Sequence, residues 1–137
     1  MANYKTQKEA FNHFKVKKGT WSRGPWSSLS EDGKILVLTI WTDQKEYLKE
    51  EKKYYTSTFE CCNELWKDDN NNLKRIEHIT YCIENLESIF RVVFVTPKDK
   101  GVFNASRYAI NWNAFDKAWF KITDFDKLTG EFKSESI

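Results

Sequence analysis

Apolar residues recur along this chain with two different periods, and the points where the period changes mark the expected elements. Behind Thr6, a side chain suited to capping, Ala10, Phe11 and Phe14 fall at helical spacing while Gln7, Lys8 and Asn12 fall outside. This predicts a first helix to about Lys15, ended by Gly19. From Thr20 to Leu29 the pattern is that of a strand interrupted at Gly24-Pro25, because proline cannot donate to a sheet ladder. Asp32-Gly33 reads as a two-residue hairpin turn into Lys34–Trp41. Apolar residues there occupy both parities, which predicts a strand buried on both faces.

Residues 44–54 mix charges without a sustained apolar face, predicting an exposed loop or short helix, and Tyr54 to Phe59 predicts a further strand. The polar run Asp68 to Asn72 opens a second helix, with an expected apolar stripe of Leu73, Ile76, Ile79 or Thr80, and Ile83. Phe90 to Thr96 is β-branched and aromatic and stopped by Pro97, which predicts a second central strand. Gly101 to Asn113 is compatible with short helix or loop. Ala118–Phe125 and Glu131–Ser134 flank Asp126-Lys127-Leu128-Thr129-Gly130, a closing hairpin with glycine at a positive φ. The order predicts one α+β domain over residues 1–137, a single curled mixed sheet or half-barrel with two to three helices.

Composition adds an aromatic surplus. Six Trp, six Tyr and ten Phe make 16% of the chain, well above ordinary usage, so some rings are candidates to serve a ligand. No apolar run approaches the roughly 20 residues of a membrane-spanning helix, and the polar segment Met1–Lys8 lacks a signal core. The expectation is a cytoplasmic protein with no membrane partner. Cys61, Cys62 and Cys82 are expected to be reduced thiols, since the adjacent pair is poorly placed to bridge itself. The net charge of +2 conceals a gradient. Lys5, Lys8, Lys15, Lys17, Lys18 and Arg23 stand against the single Glu9, a basic end on an otherwise acidic body that suits a polyanion or a solvated face.

The hairpin carries the candidate binding chemistry. With a two-residue turn, Trp26 opposes Thr39 and the ring-free Gly24 opposes Trp41, leaving a slot beside the indole. Trp21, Trp26 and Trp41, interleaved with Ser22, Arg23, Ser27 and Ser28, suit a stacked base, worth roughly 1–3 kcal/mol per ring. The alternative is that these rings are core. Cys61, Cys62, His78 and Cys82 offer zinc ligands, but their spacing matches no finger or ribbon. Core thiols beside a surface histidine are therefore expected, and no metal. Glu131-Phe132-Lys133, with Asp116, Asp124 or Asp126 upstream, has the carboxylates and lysine of a PD-(D/E)XK nuclease, although only Ser134–Ile137 remain where that fold places a helix. His13, assigned to a surface helix, and His78 are the only imidazoles for general-base chemistry.

Four segments together resemble a family of small, largely uncharacterised bacterial domains, from Trp21 onward. They are W-S-x-x-x-W-S-S-x-S-x-D-G-K-I-L-V-L-T-I-W (Trp21 to Trp41), F-R-V-V (Phe90 to Val93), K-D (Lys98-Asp99) and T-x-F-D-x-x-T-G-E-F (Thr123 to Phe132). The resemblance implies a domain that stands alone or accompanies restriction nucleases, with the PUA-like barrel of SRA, YTH and EVE domains. Those domains read modified bases in aromatic-walled pockets. The family has Trp-Ser-Trp where this chain has Trp21-Ser22-Arg23, which puts a guanidinium in place of one ring.

The reading that results is a nucleic-acid-binding module that uses no cofactor. Trp21, Trp26 and Trp41, with Ser22 and Arg23, would hold a modified or extruded base, and Lys15, Lys17 and Lys18 would meet phosphate. Two alternatives stay open: a protein-interaction domain with aromatic anchors, and a small metal-dependent nuclease using Glu131 and Lys133.

Overall fold

The computed structural model describes residues 2–17, 25–59, 66–99 and 108–137. Thr6 caps helix α1 (Gln7–His13), its hydroxyl accepting from the Glu9 amide. The helix stops sooner than the pattern suggests: Phe14 is its C-cap and Lys15 turns the chain with φ 58°. Gln7, expected outside, is buried because its side-chain amide donates to the Pro25 carbonyl.

The strands are β1 (Ala2–Tyr4), β2 (Ser27–Leu29), β3 (Leu36–Trp41), β4 (Lys45–Leu48), β5 (Lys53–Ser57), β6 (Ile89–Pro97), β7 (Ala109–Phe125) and β8 (Phe132–Ser136), with helix α2 (Asn70–Asn85) between β5 and β6. They form one mixed, open sheet in the order β2-β3-β6-β7-β8-β5-β4, to which β1 adds beside β7. The β3–β6 pair is parallel. Strand β7 has β6 along one edge; its other edge pairs first with β1, through Tyr4 and Trp112, and then with β8, through Phe120 and Ser136. The architecture is therefore the α+β curled sheet expected, with two helices among the described residues.

Each face of the sheet has its own core. On one, Ala10 and Phe11 of α1 and its C-cap Phe14 cover Val37, Val93, Val95 and Ala114. The other buries Leu36, Leu38, Ile40, Phe90, Phe94, Phe115, Phe120 and Phe132. Consecutive residues of β3 thus feed opposite cores, as its unbroken apolar run predicts. The β2–β3 register also follows expectation, with Ser27 opposite Leu38 and the Thr39 amide bonded to the Trp26 carbonyl at 3.0 Å. The turn is longer than two residues, because the Ser30 amide bonds the Ile35 carbonyl and the Ser30 hydroxyl accepts the Lys34 and Ile35 amides. A longer loop centred on the same point leaves the register unchanged.

Three expectations fail for tertiary reasons. Residues 44–54 are not a loop or helix; a 3-10 turn (Thr42–Gln44) leads into the β4–β5 hairpin. Their charges decorate β4, an edge strand, where charge discourages further pairing. The ambiguous stretch before Asn113 supplies the start of β7, because β1 and β6 both pair with it. Between Phe90–Phe120 and Val92–Phe115 the ladder slips, so that β7 bulges and the sheet bends. Helix α2 turns only part of its expected apolar stripe inward, Ile79 but not Leu73 or Ile83. Asn71, Asn72, Arg75, His78, Ile79 and Cys82 are buried, while Leu73 and Ile83 are 49% and 42% exposed. The inward polar groups find partners that a periodicity argument cannot see. Asn72, for instance, donates to the Thr129 carbonyl at 2.8 Å in the closing hairpin, where Gly130 (φ 87°) has no Cβ to strike the Asn72 amide.

Candidate functional site

The chain leaves β3 at Trp41 and turns directly into β4, at the far end of the sheet order. The sheet must curl for this, and ring contacts show that it does. Tyr54 on β5 lies 5.0 Å from Phe115 of β7 and 6.4 Å from Phe94 of β6, measured between ring centroids. The curl encloses a pocket of about 160 Å³. Tyr54, Phe94 and Phe115 supply its aromatic part, and Thr42, Thr96, Asn111, Asn113 and Lys45 its polar part. The pairings of Phe94 with Asn113 and Thr96 with Asn111 place those four side chains on one face.

Asn3 of β1 organises the amides. Its Oδ1 accepts from Asn113 Nδ2 at 2.7 Å and from Asn111 Nδ2 at 3.2 Å. With Nδ2 so engaged, Asn113 Oδ1 is buried with no hydrogen-bond partner, a vacancy that ordinarily costs about 1–3 kcal/mol. The ammonium group of Lys45 stands 4.8 Å from the Phe94 ring centroid and 5.6 Å from that of Tyr54. Burial holds this amine below the usual lysine range. Lys45 also borders a second, open groove of about 460 Å³, where Lys133, Thr56, Ser57, Thr123 and Ser134 contribute polar groups beside Asp43 and Glu46.

A separate polar centre lies under α2. The Arg75 guanidinium is held between Trp26, Trp66 and Phe132, 4.9, 5.3 and 5.2 Å from their ring centroids, and donates to Asn72 Oδ1 at 3.0 Å. Its Nε has no hydrogen-bond partner. Burial lowers its pKa to about 9, only partly offset by Asp69. His78, expected at the surface, is buried beside it with Nδ1 2.7 Å from the Ser27 hydroxyl, and burial lowers its pKa to about 4. Cys82 is buried as expected, and burial pushes its thiol up to about 12.

The sequence also misplaced His13. Rather than standing free on a surface helix, it is half-buried, its Nε2 2.9 Å from Asp116 and its Nδ1 2.9 Å from the Tyr4 hydroxyl. A carboxylate accepts only, so Nε2 carries a proton and donates to Asp116. The bond from His13 keeps Asp116 below the usual carboxylate range. The β7 bulge contains Asp116, and nothing local in the sequence signals that it meets a residue 103 positions earlier.

Of the proposed base-binding residues, Trp21, Ser22 and Arg23 lie outside the described residues, as do Gly24, Lys18, Cys61 and Cys62. Trp26 packs edge-on against Trp66 at 6.2 Å beside Arg75, whereas Trp41 packs against the α1 core. Lys15 and Lys17 are exposed, Lys17 pairing with Glu31 at 3.2 Å. In the nuclease constellation, Glu131 is buried and bonded to Thr129, Lys133 stands over Phe59, and Asp116 is bonded to His13. Among the described residues no three His, Cys, Asp or Glu side chains gather closely enough to hold a metal ion. The pocket residues Lys45, Tyr54, Asn111 and Asn113 were missed entirely. Their only sequence signal was the concentration of aromatic and amide side chains. No helix among the described residues is long and apolar enough to cross a membrane. Comparisons with protein families, with curated proteins and with solved structures return no match.

Proposed function

We propose that this protein binds nucleic acid by admitting a single base to the pocket enclosed by the curled sheet. The observation that carries the reading is a pocket lined by Tyr54, Phe94, Phe115 and Asn113, the last with a buried, unpartnered Oδ1. An unpaired acceptor among aromatic walls suits a flat heterocycle that brings an N–H donor, and Lys45 offers the complementary donor to a ring carbonyl or nitrogen. The function is the one expected from the sequence, but its base site is moved from the tryptophan hairpin to the inside of the curl. The exposed Lys15 remains available for phosphate, and Lys17 would meet it by exchanging its surface pair with Glu31.

The test is titration of short single-stranded oligonucleotides and free nucleosides, followed by intrinsic tryptophan fluorescence. Asn113→Leu should weaken binding by up to about tenfold, the worth of one hydrogen bond, at a stability cost of no more than about 1.5 kcal/mol, because it removes the donor to Asn3 together with an acceptor the unliganded protein leaves unsatisfied. Equal affinity in wild type and variant would remove Asn113 from the site. Absence of binding to every oligonucleotide and nucleoside would end the nucleic-acid reading.

A further inference from the structure

Lys45 occupies an unusual position, lining both the enclosed pocket and the open groove. Lys17, Lys53 and Lys74 each lie within 3.2–3.4 Å of a glutamate, yet Lys45 makes no ion pair among the described residues, although Asp43 and Glu46 line the same groove. Its amine rests over two aromatic rings, and the residue stays accessible at the surface. A lysine beside an apolar wall, unneutralised by a carboxylate, has the setting of an amine nucleophile.

We propose that Lys45 forms an imine with the ring-opened aldehyde of an abasic sugar in a nucleic-acid strand. This rests on the base-binding reading above. A strand that places a base in the pocket leaves the sugar carbon bearing that base at the pocket's mouth, where Lys45 stands. In an abasic nucleotide the same carbon is an aldehyde and the pocket is unfilled. The unprotonated amine attacks the carbonyl carbon; the carbon–nitrogen bond forms and the carbonyl π electrons move to oxygen, which takes a proton. The carbinolamine then loses water, so that aldehyde plus ammonium gives protonated imine plus water. Burial holds the Lys45 amine below the usual lysine range, which raises the fraction able to attack.

The experiment incubates the full chain with a single-stranded oligonucleotide carrying one natural abasic site, reduces with cyanoborohydride, and maps the adduct by mass spectrometry. Lys45 should be labelled roughly tenfold faster than any other lysine, because the seated strand holds its aldehyde beside this amine. Lys45→Arg should abolish that adduct, and a tetrahydrofuran abasic analogue, which has no aldehyde, should give none. Labelling spread evenly over the lysines, or unchanged in Lys45→Arg, overturns the proposal. So does tight binding of intact and abasic oligonucleotides with no adduct, which leaves the base-binding function standing. If no oligonucleotide binds at all, that function fails and the abasic substrate fails with it.

Discussion

The two helices use opposite faces of the same rule. Helix α1 buries what its pattern says it should, Ala10 and Phe11 at 0% exposure against valines of β3 and β6. In α2 the aliphatic residues Leu73 and Ile83 face outward, while Asn72, Arg75 and His78 are buried. The first helix adheres through its apolar face, with polar bonds only at its ends, from Gln7 to Pro25 and from His13 to Asp116. The second is fixed by particular partners: Thr129 for Asn72, three rings for Arg75, Ser27 for His78. Apolar contact tolerates sliding, whereas a buried polar group leaves a costly vacancy if its partner moves. One helix thus supplies stability and the other fixes position.

The largest expected effect falls on α1. Phe11→Ala should cost about 3–5 kcal/mol in denaturant unfolding, because a fully buried ring leaves a cavity between helix and sheet. A cost below 1 kcal/mol would mean that α1 is not held by its apolar face.

The next sharpens the account of α2 through pH. Burial lowers the pKa of His78 to about 4 from 6.5, so between those values the unfolded chain binds the proton and the folded protein does not. Stability from this group is therefore complete above about pH 6.5 and is lost as pH falls towards 4, a change of roughly 3 kcal/mol. Unfolding midpoints at a series of pH values should show a shallower acid dependence in His78→Gln than in wild type. Parallel slopes would place His78 in water.

The smallest effect belongs to the outward stripe. Leu73→Lys should change stability by no more than about 0.5 kcal/mol, since the side chain is already 49% exposed. A loss of several kcal/mol would restore the ordinary orientation of α2 and break the contrast with α1.

How much of this was legible depends on the distance over which each feature is decided. Thr6 as a cap, β3 buried on both faces, β6 and the closing turn at Gly130 all follow from neighbours within a few residues, and each stands where its pattern put it. The candidate site was not legible. Lys45 meets Phe94 only because the edge strand β4 curls back over β6, and Asn113 is oriented by Asn3 from the opposite end of the chain. The stripe of α2 misled for a related reason: periodicity scores apolarity, and has no term for a buried asparagine whose partner lies 57 residues away. The sequence by itself determined the two helices, the central strands β3 and β6, the closing hairpin and the curled α+β class, through local propensity and the alternation of apolar positions. Only the tertiary structure decided which polar groups are buried, which face of α2 turns inward, and where a pocket opens, because each depends on pairings between distant strands.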